Sequence, residues 1–246
     1  SSGSSSWKIS PTRRSSVSLT SAPKAMVSEW ISGTPLSAII REMPHPLDGH
    51  HATAPEFFVT ATNVRTGKPR VFTRTEVDAD ALMASACLPN IFRAVEIDGE
   101  AYWDGGYLGN PALWPLYHEG GAPDILLVQI NAILRPELPT STTGIMNRLN
   151  EISFNASLMS EMRAIDFVQR LLEAGRLEQP RYRRIFLHCI DDEDRMRKFN
   201  LSTKLNGDWE FLQVLRRYGH QAADRFLAES FDRIGRESTL DIKRYL

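Results

Sequence analysis

Cysteine is nearly absent from this chain: Cys87 and Cys189 are the only two in 246 residues. They lie far apart and form no metal-type pair, which rules out a disulfide-dense scaffold and favours buried free thiols in a reducing compartment. An excess of either charge sign is absent too. A formal net charge of −1 gives no electrostatic case for nucleic acid or for an anionic membrane surface. No apolar run reaches transmembrane length, no secretory signal is visible at the start of the sequence, and no internal repeat is evident. Metal motifs are wanting as well. His45, His50 and His51 cluster without the spacing of a helical zinc site or any acid or Cys ligand at a familiar interval. The acidic run Asp191-Asp192-Glu193-Asp194 lacks the ligand spacing and glycine of an EF-hand and reads as a solvated turn.

What is present is ordinary for a globular protein: 42% hydrophobic and 24% charged residues, in a chain long enough for one large or two small domains. Residues 1–23 are Ser-rich, carry Lys8, Arg13 and Arg14 and no acid, and read as a disordered tail. Residues 24–43 have a helical pattern broken at Gly33-Thr34-Pro35 and stopped by Pro44 and Pro46. A buried strand is expected over 56–64 with a hairpin partner over 69–73. A helix is expected over 78–88, with Asp78 as its N-cap and Pro89 as its stop. Asn110-Pro111 should start another helix that Gly120-Gly121 ends. Residues 124–131 are nearly all apolar, as for a strand covered on both faces. After a Pro- and Thr-rich connector over 135–143, Ile145, Leu149, Ile152, Ala156 and Met159 mark the expected buried face of a long helix running to about Ala174. Met146, Met159 and Met162 are read as core filling rather than a lipid-binding surface. A strand over 182–190 and a last helix through Phe211, Leu215, Tyr218, Ala222 and Phe226 complete the pattern.

Two Asp-Gly steps between Ala94 and Pro111 read differently. Asp98-Gly99 joins two short alternating runs and is a strong hairpin signal, because both residues tolerate positive φ. Asp104-Gly105-Gly106 closes the second run, with no strand partner at hairpin distance. A carboxylate at a strand end followed by two glycines can project into a cleft while the backbone turns beneath it; a solvated structural turn is the alternative.

The stretches Ala84-Ser-Ala-Cys-Leu-Pro-Asn-Ile-Phe, Tyr102-Trp-Asp-Gly-Gly-Tyr-Leu-Gly-Asn-Pro and Phe58-Val-Thr-Ala-Thr-Asn-Val-Arg-Thr-Gly-Lys-Pro together resemble the second half of the patatin-like phospholipase family. The likeness continues through Asp124-Ile-Leu-Leu-Val-Gln-Ile-Asn and covers roughly residue 55 to the end. It implies a three-layer α/β/α fold with a helical C-terminal extension. It also implies a serine acyl hydrolase with a Ser–Asp dyad and no metal or organic cofactor. Asp104 matches the catalytic Asp of the family's Asp-Gly-Gly motif, with Gly105 and Gly106 permitting the turn that aims it. The implied partner is a lipid or ester substrate, met in solution or at a membrane surface, and the implied setting is cytoplasmic or peripheral to a membrane.

The family's nucleophile sits in a Gly-x-Ser-x-Gly elbow, and this chain contains no such string. In Ile31-Ser-Gly-Thr-Pro-Leu-Ser-Ala, Pro35 stands where the nucleophile would be, with neither a nucleophilic side chain nor an N–H to offer an oxyanion. Ser37 and Ser85 lack flanking glycines. Two classes of function therefore stand side by side. One is a lipid acyl hydrolase of which this chain carries the Asp half, its natural reading frame starting upstream of Ser1 and the fold incomplete at the N-terminus. The other is a non-catalytic relative that binds lipid or a protein partner. On the first, the expected organisation is a tail (1–23), the second half of the α/β core (24–135) and a mainly helical extension with one strand (136–246). The chain alone would then be inactive, and strands left without a neighbour would favour self-association.

Overall fold

A computed structural model describes residues 56–89, 91–117, 122–178, 182–199, 203 and 206–246. The expectations placed on residues 1–23 and 24–43, on the Pro35 string and on His45, His50 and His51 lie outside these residues, as does the Gly120-Gly121 helix stop.

The described residues form a mixed α/β structure with two sheets. Strands β1 (Phe58–Asn63), β2 (Pro69–Thr73), β3 (Val95–Ile97) and β4 (Glu100–Asp104) build an antiparallel sheet in the order β2-β1-β4-β3. The β3–β4 turn is the one the sequence announces: Asp98 takes φ 52° and Gly99 φ 77°. Helix α1 (Ala79–Ser85) packs on this sheet, and its N-cap is Asp78, whose carboxylate accepts the Ala81 N–H at 2.8 Å. Ala61, Phe72, Val77, Ala81, Ala84 and Tyr102 form the core between them. Phe72 meets Tyr102 edge-on at 5.7 Å, an arrangement favoured by the ring quadrupoles.

Helix α2 is a single turn, Trp114–Tyr117, and begins three residues later than Pro111. Strand β5 (Asp124–Gln129) runs parallel to β6 (Phe186–Asp191), in a register that sets Leu127 against Cys189. Between them in sequence lies helix α3 (Thr142–Glu173), capped by Ser141. Helices α4 (Glu193–Met196) and α5 (Trp209–Glu229) follow. The second core joins Leu113, Ile125, Leu127, Leu187 and Tyr245 to the α3 residues Leu158, Met162 and Ile165.

Three expectations are corrected here. Among the described residues, strand β5 is covered on one face only: Ile125 and Leu127 are buried, whereas Leu126, Val128 and the following Ile130 are exposed, Val128 at 63%. The buried face of α3 is not the stripe through Ile145, Leu149 and Ile152, all of which are exposed; Phe154, Leu158, Met162 and Ile165 face the core instead. The helix carries two apolar stripes, and only the second lies over β5 and β6. The methionines divide accordingly, Met162 filling the core and Met146 exposed. The acidic run is not a solvated turn. Asp191 and Glu193 share the Arg244 guanidinium at 2.6 and 2.8 Å, while Glu193 also accepts the N–H groups of Ile133 and Leu134.

A buried relay ties the second sheet to the C-terminal segment. His188, 1% exposed, contacts the Asp124 carboxylate through Nε2 at 3.0 Å and the Thr239 hydroxyl through Nδ1 at 2.9 Å. The same Asp124 oxygen accepts the Gly235 N–H at 2.7 Å. These bonds, the Gly235 amide first and His188 second, hold the Asp124 carboxyl below its ordinary pKa.

Two stability measurements follow. Met162→Ala should cost about 2–5 kcal/mol in urea unfolding, because it opens a cavity in a closed core; Leu149→Ala, on the exposed stripe, should stay within about 0.5 kcal/mol. Because the Asp124 pKa is depressed by folding, its stabilisation is fully present above about pH 4 and is lost as pH falls through the folded value. Asp124→Asn should therefore flatten the acid limb of stability against pH, a change read by urea melts at neutral pH and near pH 3.

Candidate functional site

Asp104 is the last residue of β4, a central strand of the antiparallel sheet. Its backbone is fixed from two sides: its N–H donates to the Cys87 carbonyl at 2.8 Å, and its carbonyl accepts the Thr62 hydroxyl at 2.9 Å. The Asp104 carboxylate caps the 3-10 turn Gly105–Tyr107, Oδ1 accepting the Gly106 N–H at 2.7 Å. The side chain is half-buried, so it meets solvent while its orientation is set by the backbone beneath it. The neighbouring Cys87 thiol donates to the Arg93 carbonyl, and burial, then the Asp104 charge, push its pKa up. Tyr107 is raised by the same two causes in the same order. Cys87 is therefore a buried, inert thiol. Cys189, half-buried beside Asp191, is pushed up to about 12, mainly by burial.

The two glycines at this turn act through their small size rather than through an unusual backbone angle. Neither takes a positive φ; what they supply is space. A Cβ on Gly105 would overlap the Thr60 carbonyl oxygen of β1, and one on Gly106 would stand 2.6 Å from the Phe154 ring. The turn is pressed between a strand of the first sheet and a helix on its other side.

That helix contributes residues the sequence did not single out. Phe154, Ser157 and Glu161 share one face of α3. Phe154 packs on Gly106 and lies 4.9 Å from the Tyr107 ring. The Ser157 hydroxyl accepts the Asn110 N–H at 3.2 Å, and the Glu161 carboxylate accepts the Leu113 N–H at 2.9 Å. The spacing of three and four between these positions was available as a signal. Their partners were not, because they lie more than forty residues away along the chain. Asp98, by contrast, stays at the tip of the β3–β4 hairpin, and the structure gives it only a turn. Among the described residues no cluster of His, Cys, Asp and Glu could hold a metal ion, and no helix is long and apolar enough to cross a membrane.

The close approach of Gly105 gives a direct test. Gly105→Ala should lower the melting temperature through overpacking of at least about 1–3 kcal/mol, since the obstructing atom is backbone and cannot rotate away. Gly207→Ala, where a Cβ would meet nothing within 4 Å, should be close to neutral by the same thermal melt.

No curated protein matches the chain. The model of the patatin-like phospholipase family matches residues 17–117. This span differs from the resemblance read from the sequence: it begins well before residue 55, takes in the Ile31–Ala38 string, and stops at Tyr117, ahead of β5. It contains β1 to β4 and the Asp104 turn. Over residues 17–117 this chain is therefore similar to the patatin-like phospholipase family.

Proposed function

We propose that the protein is a lipid acyl hydrolase in which Asp104 is the base of a Ser–Asp dyad. The observation that carries the reading is the fixing of Asp104 at the end of a central strand, its carboxylate oriented by the Gly106 amide, inside the family-matched span. A serine hydroxyl is a weak nucleophile until a neighbouring base accepts its proton. In a dyad the carboxylate does this directly: it takes the proton as the serine oxygen attacks the ester carbonyl, and passes it to the departing alcohol oxygen as the acyl-enzyme forms. The carboxylate, again ionised, then draws a proton from the water that attacks the acyl-enzyme, and returns it to the serine oxygen as the acid is released. A base already locked in one orientation loses little freedom in reaching the transition state. The substrate on this reading is a phospholipid or another carboxylic ester, met in solution or at a membrane surface by a cytoplasmic or peripherally bound protein. The three-layer arrangement, and the division into a core ending near residue 135 and a C-terminal extension, belong to the same proposal.

A second reading, a non-catalytic lipid-binding or protein-interaction relative, is favoured by one observation: no Gly-x-Ser-x-Gly string occurs in these 246 residues.

The full protein decides between them. Asp104→Asn keeps the side-chain shape but removes the base, so ester hydrolysis should fall about 10²–10⁴-fold with little change in stability. Asp98→Asn should be silent, because Asn-Gly suits the same tight turn. A fluorophosphonate probe should label one serine. Equal losses from both substitutions, or no labelled serine, would overturn the hydrolase reading in favour of the second.

A further inference from the structure

A cavity of about 370 Å³ lies between the first turns of α3, the loop that follows β5, and the start of α5. This is within the size range of small-molecule sites, roughly 300–1,000 Å³. It is formed by residues 130–215, entirely outside the span matched to the family. Its walls are mostly apolar: Ile130 and Ala132 from the loop, Phe154 from α3, Phe199, and Leu212 and Leu215 from α5.

Asn131, Thr203 and Asn206 also line it, and four further polar side chains fall into two unlike pairs. Arg135 and Glu151 form a fork-to-fork pair at 2.6 and 3.1 Å, and Arg135 also donates to the carbonyls of Arg197 and Phe199. This pair consumes its own charges and braces the wall; it has nothing to spare for a ligand. Asn147 and Asn150 differ. They stand three residues apart on α3, so their side chains share the face that lines the cavity. Their carboxamides make no hydrogen bond among the described residues. Each offers two donors and an acceptor without a net charge. A mostly apolar pocket with a neutral amide pair on one wall matches one aliphatic chain ending in a carbonyl group. It does not match a phosphate or a nucleotide, which would call for cations that are not already paired.

One wall joins this cavity to the Asp104 turn. Phe154 lines the cavity and also packs on Gly106 and Tyr107. We propose that this cavity is a binding site for a single acyl chain, held as the free acid or its ester with the carbonyl end at Asn147 and Asn150. The choice of an acyl compound rests on the hydrolase reading; the existence of the site rests on the cavity itself.

The test is calorimetric titration of the full protein with dodecanoic acid and, separately, of its Asp104→Asn variant with the glycerol monoester, both below the concentration at which they form micelles. At least one should bind with one-to-one stoichiometry; preference for the acid assigns the carboxylate, and preference for the ester assigns the neutral head. Leu215→Trp, which fills the cavity, should weaken binding at least tenfold. Leu212→Trp, at a more exposed position on the same wall, serves if the first variant does not fold. Asn150→Leu should weaken binding about fivefold, the value of one hydrogen bond of ordinary strength. Absence of binding by either compound, or affinity unchanged in a folded cavity-filling variant, would overturn the proposal. An unchanged or tighter Asn150→Leu would overturn the placement of the carbonyl end. Hydrolysis is not read in this assay, so its failure leaves the role of Asp104 standing, and loss of the Asp104 reading leaves the binding result standing.

Discussion

The approach of Gly105 to the Thr60 carbonyl is the constraint on which the candidate site depends. It allows the chain to leave β4 by turning tightly against β1, and Asp104 inherits its direction from that turn. The rest of the neighbourhood reinforces it. Thr62 on β1 holds the Asp104 carbonyl, Cys87 after α1 holds its N–H, and the Gly106 amide holds its carboxylate. Two other stretches of chain, β1 and the segment after α1, thus converge on the backbone of Asp104, and its own turn holds the carboxylate. Side-chain bonds alone would leave a carboxylate free to change rotamer; a strand end fixed at both its N–H and its carbonyl does not.

The second sheet answers to a different logic. Among the described residues it has two parallel strands and one covered face, and such a sheet has little intrinsic stability. It is held by long-range polar anchors: Asp124 through His188 to Thr239 and directly to Gly235, and the Tyr245 hydroxyl on Gln129 at 2.5 Å. Apart from the Asp124–His188 bond, which joins β5 to β6, each bond ties one of these strands to the last dozen or so residues. A buried histidine with a partner on each ring nitrogen is also the expected form of a structural histidine. Its alignment with a carboxylate and a hydroxyl has the outline of a catalytic triad. Its near-complete burial makes it a clasp.

Local chemistry was legible in the sequence wherever one residue decides one conformation. Asp78 caps α1, and Asp98-Gly99 makes the β3–β4 turn, because the side chain or the φ angle required is particular to those residues. Asp104 was legible for the same reason, as a carboxylate at a strand end followed by glycines. What misled was apolar content with no unique face. Helix α3 offers two stripes, and periodicity cannot say which one a sheet will cover. Strand β5 is apolar on both sides, a pattern that suits full cover, yet the described structure covers only one. The acidic run looked solvated because its partner, Arg244, stands some fifty residues downstream.

Phe154 shows how these two levels meet. In sequence it is one more apolar residue on a long helix, off the stripe expected to be buried. In the structure it is the hinge between two environments. One side fills the space left by the missing side chain of Gly106, and the other closes the cavity beneath α5. A side chain at that position cannot shrink without loosening the Asp104 turn, nor grow without entering the cavity. The identity of a single aromatic on α3 is therefore constrained from both sides: by the glycine that aims the carboxylate, inside the family-matched span, and by a C-terminal cavity outside it. Close packing transmits such constraints because interiors leave few voids to absorb a change. The C-terminal helices are thus coupled to the candidate site mechanically, through Phe154.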